Sequence, residues 1–265
     1  MTLIVGIKCQ DGVVMAADSA ATFTTPPGEP TVCQTCKKLS VIGADLIIGT
    51  SGPVGLAQSF CQEIGVLLSR NHSRCYWKTP LDARKALSSA MWEYAEKEWQ
   101  RAALVAQATR QPQPTFSTLI ALRTTDVPSL IEFDQKCSPE EATDDLPYKC
   151  IGVGQRLADT FLAFTRRVLW PPGLPKLEHA VFYAYWAVSE AIKVSPGWLA
   201  APVQIMTLAK SGESWIACEL DESQLGEHPQ FMEEVERAMG EAVRSLLEAD
   251  QRVAETPSLP TPPGK

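Results

Sequence analysis

The sequence predicts an α+β fold, a four-layer αββα sandwich of two antiparallel sheets flanked by helices. Two observations predict this architecture. First, strand-like segments are joined by short turns such as Asp11-Gly12, and short turns join antiparallel strands. Second, the elements come in blocks of four strands, two helices, three strands, two helices, two strands and one helix. Two sheets packed face to face, with helices outside each, would bury both faces of both sheets.

Each predicted element is a stretch of regular hydrophobic spacing between turn residues or helix caps. The predicted strands lie at about residues 3–9, 13–18, 38–42, 46–50, 117–123, 129–134, 148–152, 203–209 and 214–219. The predicted helices lie at about residues 53–69, 79–107, 154–169, 177–193 and 229–253. Pro53 opens the first helix and Thr79 caps the second, because proline fits a first turn and threonine accepts a free backbone N–H there. The Pro-rich stretch TFTTPPGEPT and the acidic stretch SPEEATDD are predicted to be loops.

Length and composition predict one folded domain. The chain has 265 residues, of which 45% are hydrophobic, so it can bury a sizeable core. We expect a single domain over residues 1–255. The last ten residues, TPSLPTPPGK, are rich in proline, so residues 256–265 are predicted to be a disordered tail.

Charge and hydropathy argue against several kinds of partner. The formal net charge is −7, whereas binding to nucleic acid favours a basic face. The chain has no run of about 18 apolar residues, so no membrane-spanning helix is predicted. The N-terminus lacks a basic segment followed by an apolar stretch, so no secretory signal is expected. A cytoplasmic location follows as the default expectation.

The cysteines and histidines give no indication of a metal or a cofactor. The eight cysteines are scattered, so free thiols are expected in a cytosolic protein. Cys33 and Cys36 form a C-x-x-C pair, but a zinc site of this kind needs a second ligand pair, and the three histidines do not cluster. We therefore predict no metal and no cofactor.

Three features near the N-terminus could carry chemistry: Thr2, Asp18 and the Lys37-Lys38 pair. After removal of Met1, the Thr2 hydroxyl would lie beside a free α-amino group, which can accept the hydroxyl proton near neutral pH. A nearby lysine would favour the neutral, basic form of that amine, and an aspartate would hold the lysine in place. The predicted hairpin places Asp18 beside Thr2. Sequence spacing alone does not place the lysine.

Several segments resemble proteasome β subunits and the HslV-type bacterial peptidase, which are N-terminal-nucleophile (Ntn) hydrolases. The opening TLIVGIKCQDGVVMAADSAAT matches that family in its D-G turn and its A-A-D-S-x-A-T end. TCKKLSVI, LIIGTSGPVG, CIGVGQ and LEHAVFYAYWAVSEAI resemble later segments, and the order of elements fits over about residues 2–250. A single methionine precedes the threonine and the chain is longer than HslV, so it is most similar to the betaproteobacterial proteasome homologue. The resemblance implies the Ntn-hydrolase fold.

The resemblance also implies a role for each matching residue. Thr2 would supply the nucleophile and the general base, Lys38 would lower the pKa of the Thr2 amine, and Asp18 would orient Lys38. The backbone N–H of Gly52 would form the oxyanion hole, where one donor can contribute about 3 kcal/mol. Thr22 would pair with the substrate backbone, lying as an added β-strand. The residues implied to line a modest, weakly polar pocket for the side chain before the scissile bond are Ala21, Cys36, Thr50 and Val54.

Two places depart from the family pattern. Val153 stands where the family usually has a serine between two glycines, close to the terminal amine. In the stretch KVSPGWLAAP, Ser195 stands near the place of an aspartate and Trp198 near that of a serine, both of which bond the amine in the family. Ser195 is therefore the candidate in this loop for supporting the amine. With these changes, peptidase activity could be weak, narrow or dependent on a partner.

The leading hypothesis is a self-compartmentalising threonine endopeptidase that acts on peptides or unfolded proteins. The resemblance implies stacked homo-oligomeric rings, two rings of seven subunits with six as the alternative. An ATPase partner fits the family, but nothing in the sequence identifies one. Two other hypotheses stay open: a ring-forming scaffold or binding protein with a weakened or inactive site, and a hydrolase of non-peptide amides.

Overall fold

Two five-stranded antiparallel sheets organise the larger part of the chain in the computed structural model. The structure describes residues 2–24, 30–70, 77–109, 116–125, 127–134 and 136–249. The chain divides after Asp221 into two compact units, residues 1–221 and residues 222–265. Both sheets belong to the first unit.

Every neighbouring pair of strands in the two large sheets is antiparallel. The first sheet consists, in spatial order, of β10 (Tyr148–Gly152), β1 (Leu3–Lys8), β2 (Gly12–Ala17), β11 (Gln204–Ser211) and β12 (Ser214–Glu219). The second consists of β5 (Leu39–Ile42), β6 (Leu46–Ser51), β7 (Ser117–Arg123), β8 (Pro128–Phe133) and β9 (Pro139–Glu141). A separate hairpin pairs β3 (Ala20–Thr24) with β4 (Pro30–Thr35).

Alternation of side chains along the strands explains why the sheets stack. In β6, Ile47 belongs to a buried cluster that contains residues of both large sheets, whereas Leu46 and Ile48 belong to a second cluster that contains helix residues. Among the members of the shared cluster are Ile4, Met15, Leu119 and Met206. The second sheet is therefore apolar on both faces, as a layer between another sheet and helices must be.

Four helices cover the outer faces of the sandwich. α1 (Val54–Arg70) and α2 (Pro80–Thr109) pack on the second sheet, and α3 (Gln155–Val168) and α4 (Leu177–Val194) pack on the first. The N–H of Asp82 donates to Oγ1 of Thr79 at 3.2 Å, so Thr79 caps α2 as the sequence predicts. The buried face of α4 is rich in alanine, which lets this helix lie close to β1 and β2. The predicted αββα sandwich of antiparallel sheets is confirmed.

Two stretches predicted to be loops contain strands. TFTTPPGEPT contributes to the β3–β4 hairpin, because Thr, Phe and Val on either side of the proline and glycine residues favour extended backbone. Pro30 is the first residue of β4, where a missing N–H is tolerated. In SPEEATDD, Pro139–Glu141 form the edge strand β9, and an edge position accepts both a proline and exposed carboxylates.

The second unit is helical where the structure describes it. It contains the short α5 (Glu222–Leu225), which the sequence did not predict, and α6 (His228–Ala249), which corresponds to the predicted final helix. The predicted end of that helix at about residue 253 and the Pro-rich tail over 256–265 lie outside the described residues. The single domain over residues 1–255 stays a prediction. No helix within the described ranges has the length and apolarity that crossing a membrane requires.

Candidate active site

A cleft of about 820 Å³ opens beside the start of β1. The end of β6, the first turns of α1, parts of β3 and β4 and the start of β5 surround it. Its walls are formed by Thr2, Ala20, Ala21, Gln34, Thr35, Cys36, Lys37, Lys38, Ser40, Ile48, Thr50, Gly52, Val54, Ala57, Gln58, Cys61 and Gln62. The structure therefore brings Thr2, Lys38 and Gly52 to one cavity, together with four predicted pocket residues, although they lie on separate elements.

A buried ion pair lies beside this cleft. Nζ of Lys38 lies 2.6 Å from Oδ1 of Asp18, and the two side chains are 5% and 0% exposed. Asp18 directly follows β2, and Lys38 directly precedes β5, so each large sheet contributes one partner. A charge removed from water in this way is tolerated when it is paired and hydrogen-bonded.

The remaining bonds of Asp18 tie the ion pair to the N-terminus. Oδ1 of Asp18 also accepts the N–H of Leu3 at 2.8 Å, and Leu3 is the residue directly after Thr2. Oδ2 accepts the N–H of Ala20 at 2.9 Å and that of Ala200 at 3.4 Å. One carboxylate, directly after β2, thus joins the start of β1, the start of β3 and the loop after α4 to the lysine.

Gly152 gives the backbone of Thr2 the space that it occupies. The φ angle of Gly152 is +95°, and a Cβ on this residue would lie 2.1 Å from the carbonyl oxygen of Thr2. The N–H of Gly154 approaches the same oxygen at 3.4 Å. The glycine pair of CIGVGQ therefore positions the backbone of Thr2.

Replacing Gly152 with alanine should displace Thr2. The added Cβ would collide with backbone and would also require a positive φ, so we expect the free energy of unfolding to fall by about 2 kcal/mol or more. Chemical denaturation measures this change. Gly173→Ala is a matched control, because Gly173 has φ +86° but has no atom within 4 Å of an added Cβ. Equal destabilisation by the two substitutions would contradict the contact with Thr2.

The far wall of the cleft includes a face of α1 that the sequence analysis missed. Val54 was predicted to line the pocket, and Ala57, Gln58, Cys61 and Gln62 follow it at helical spacing. Extending the helical period from Val54 would have found them. Burial raises the pKa of the Cys61 thiol, so this thiol stays protonated and neutral near pH 7. Gly52, between β6 and α1, has φ +137°, a conformation that other residues rarely adopt.

The cleft wall carries amides, hydroxyls, thiols and two lysines. Among the described lining residues there is no aspartate or glutamate. Lys38 is paired with Asp18, and Lys37 forms an ion pair of 2.5 Å with Glu219. The described lining residues thus mix polar and apolar groups and offer no carboxylate to a positively charged side chain.

The remaining predicted residues are divided between the cleft and other places. Ala21, Cys36 and Thr50 line the cleft, whereas Thr22 pairs with Cys33 in the β3–β4 hairpin and its side chain lies outside the described residues. Ser195 ends α4, its N–H donates to the Ala191 carbonyl at 3.0 Å, and it is not among the described residues that line the cleft. Its support of the Thr2 amine stays a prediction.

Val153 stands at the position where the family has a serine, and sequence reasoning missed another hydroxyl nearby, that of Ser51. Val153 is 59% exposed and does not line the cleft in the described part of the chain. Oγ of Ser51, at the end of β6, lies 3.1 Å from the point where a Cβ on Gly152 would stand, and the carbonyl oxygen of Thr2 lies beside the same point. The Ser51 hydroxyl therefore borders, from another strand, the space that a side chain on Gly152 would fill.

The described residues contain no group of three or more His, Cys, Asp or Glu side chains that could hold a metal ion. Cys36 is a free thiol on the cleft wall, and its C-x-x-C partner Cys33 has a side chain outside the described residues.

The αββα sandwich belongs to the class of Ntn-hydrolase folds, and a lysine–aspartate pair lies beside the start of its first strand. A model of the family described as "Proteasome subunit" matches residues 2–164, which is more than half of the chain. The chain belongs to the proteasome subunit family. Among curated protein sequences, none matches it significantly.

Several solved structures share the fold at low sequence identity. The Gly-1 mutant of Anbu from Hyphomicrobium sp. strain MC1 is 15% identical, with a TM-score of 0.65 over 91% of this chain and 97% of that one. Anbu from Yersinia bercovieri, described as an ancestral β-subunit, is 19% identical, with a TM-score of 0.62 over 97% and 98%. A helical assembly of the Anbu complex from Pseudomonas aeruginosa is 18% identical, with a TM-score of 0.64 over 99% and 98%.

Proposed function

We propose that this proteasome β-type subunit is a threonine endopeptidase whose nucleophile is Thr2 after removal of Met1. One observation carries the proposal: a single oxygen, Oδ1 of Asp18, binds both Nζ of Lys38 and the N–H of Leu3. The shared oxygen thereby connects the buried Lys38 ammonium to Leu3, the residue directly after Thr2. A fixed positive charge at this position favours the neutral, proton-accepting form of an amine on Thr2.

The proposed reaction has two steps. The Thr2 hydroxyl attacks the peptide carbonyl while the Thr2 amine takes the hydroxyl proton, and the N–H of Gly52 binds the oxyanion. Breaking of the C–N bond releases the amine product, which takes the proton, and leaves an ester on Thr2. Water, activated by the same amine, then hydrolyses this ester. The Ser51 hydroxyl, which borders the space beside Gly152, would take the part of the serine that Val153 replaces.

The substrate would bind as an extended strand with its backbone paired to Thr22. The side chain before the scissile bond would enter the space between Ala21, Cys36, Thr50 and Val54, in the cleft that Gln58 also lines. Without a carboxylate among the described lining residues, the pocket should disfavour a positively charged side chain.

Matched fluorogenic peptides test this preference. We expect kcat/KM to be at least about tenfold higher for leucine or glutamine before the scissile bond than for arginine, because a desolvated, unpaired guanidinium costs more than about 1.4 kcal/mol. An arginine peptide cleaved as fast as the leucine peptide would contradict this account of the pocket.

We further propose that the chain assembles into two stacked rings of seven subunits, with six as the alternative, enclosing the sites and receiving peptides or unfolded proteins from a possible ATPase partner. The family supports self-assembly, and one structural relative is described as a helical assembly. Electron microscopy of the purified protein separates these arrangements. Closed double rings are the expected result, and monomers or open helices would contradict the proposal. The cytoplasmic location stays a prediction.

A second candidate is an assembling scaffold or binding protein with a weakened site. Val153 and the position of Ser195 at the end of α4 favour it, since neither brings the usual group to the cleft. A third is hydrolysis of non-peptide amides. Incubation with peptides and with small amides, with and without an epoxyketone directed at N-terminal threonine, separates the three. Epoxyketone-sensitive peptide turnover supports the peptidase, amide turnover alone supports the third candidate, and no turnover supports the scaffold.

A further inference from the structure

The segment that carries Lys38 is held by one distant side chain. Residues 36–38 lie between β4 and β5, outside both strands. The N–H of Lys38 donates to Oε1 of Gln204 at 2.9 Å, and Nε2 of Gln204 donates to the carbonyl of Cys36 at 2.6 Å. Both ends of a single carboxamide thus bind the main chain two residues apart.

The Gln204 carboxamide hydrogen-bonds to the main chain of residues 36–38 as a neighbouring strand would. A peptide group on an adjacent strand would offer one N–H and one C=O, and a side-chain amide offers the same pair. Nε2 has a second hydrogen, which it donates to Oγ of Ser19 at 2.6 Å, and the Ser19 hydroxyl donates to the Pro202 carbonyl at 2.6 Å. Oε1 and both hydrogens of Nε2 therefore have partners, which lie on the segment 36–38 and at Ser19.

This arrangement fixes the main chain of Lys38 relative to Asp18. Gln204 stands opposite Ala17 in the pairing of β11 with β2, and Asp18 and Ser19 follow directly. The N–H of Cys36 donates to the Ser19 carbonyl at 2.9 Å and closes the same link. Since Lys38 reaches Asp18 at 2.6 Å from this fixed point, a main-chain shift of about 1 Å would disturb the contact.

We infer that Gln204 is a positioning residue for Lys38. It holds the main chain on which the ammonium depends, and through Cys36 it holds one wall of the cleft. Its effect on catalysis rests on the proposed function, but its effect on Lys38 does not.

Lysine acylation measures the inferred effect directly. Gln204→Met keeps the side-chain length and removes all three hydrogen bonds. Acetic anhydride followed by peptide mass spectrometry should acylate Lys38 about tenfold faster in this variant than in the wild-type chain, where the lysine is buried and paired. Gln10→Met is the matched control, because Nε2 of Gln10 also donates to a carbonyl, that of Leu174 at 2.6 Å, at an exposed turn. It should leave Lys38 protected.

A second variant and a pH profile separate positioning from general loosening. Gln204→Glu keeps the acceptor for the Lys38 N–H but loses the donor when ionised, so intermediate protection is expected. Labelling of Thr2 by an epoxyketone should shift its acidic limb to higher pH in Gln204→Met, since a displaced ammonium no longer favours the neutral amine. The described titratable groups around this position are Asp18 and Lys38, with Lys37 and the thiols of Cys36 and Cys61 on the cleft wall. Glu219, which pairs with Lys37, is not among the described lining residues.

Unchanged acylation of Lys38 in both Gln204 variants would overturn the inference, as would faster acylation of all lysines alike. If the wild-type chain is not labelled at Thr2, the proposed peptidase fails, whereas the Lys38 measurement still decides the role of Gln204.

Discussion

Replacing Asp18 with alanine is expected to lower the free energy of unfolding by about 3 to 5 kcal/mol and to abolish peptidase activity. The substitution would leave the Lys38 ammonium buried without its carboxylate and would remove the acceptor of three backbone N–H groups, those of Leu3, Ala20 and Ala200. Stranded buried polar groups are costly because water cannot replace the lost partner. Chemical denaturation and a melting curve measure the loss, which should lower Tm by roughly 10 °C.

Two variants act as controls for this prediction. Asp18→Asn keeps acceptor capacity without the charge, so it should destabilise less than alanine while still losing activity. Asp144→Ala removes an ion pair of similar length, in which the exposed Asp144 carboxylate lies 2.8 Å from Nζ of Lys8. Exposed pairs contribute less than about 1 kcal/mol. If Asp18→Ala and Asp144→Ala destabilised the chain equally, the buried pair would not have the structural role described above.

Replacing Thr2 with alanine should remove peptidase activity while leaving the fold intact. Loss of a nucleophile that works with its own general base costs at least about a thousandfold in kcat. Alanine is small, so it permits removal of Met1 and keeps the terminal amine; the variant therefore isolates the hydroxyl. Rates of hydrolysis of a fluorogenic peptide by purified variants provide the measurement.

Thr2→Ser is the control, because serine keeps a hydroxyl beside the amine and should retain activity within about one order of magnitude. Residual turnover of Thr2→Ala at the wild-type level would assign the activity to another group or to a contaminant. Melting curves should be alike for the three proteins, since Thr2 lies at the start of the chain and only half-buried.

The layers of the fold could be predicted because they depend on local patterns. Turn residues such as Asp11-Gly12 and the cap at Thr79 act within a few residues, and strand alternation decides which face is buried. The β3–β4 hairpin escaped prediction because proline and glycine normally indicate a loop, and the residues on either side pair only once the chain has turned. The edge strand β9 escaped for a related reason, since edges accept residues that interior strands exclude.

The candidate site was only partly predictable. Asp18 follows from the hairpin, whereas Lys38 and Gly52 were placed by resemblance because their approach to Thr2 depends on the stacking of two sheets. Gln204 gave no signal, since its partners Ser19, Cys36 and Lys38 lie more than 160 residues away in the chain and no local rule connects them. Ser51 likewise approaches Gly152, which contacts the Thr2 backbone, only through tertiary packing.

The central claim is that Thr2 is an N-terminal nucleophile. Intact-mass analysis of the purified protein, before and after incubation with an epoxyketone directed at N-terminal threonine, tests it most directly. Such a probe bonds to both the hydroxyl and the free amine. The account predicts a chain that lacks Met1 and gains one probe, located by fragmentation at Thr2, with no gain in Thr2→Ala. Retention of Met1, or a processed chain that stays unlabelled, would contradict it.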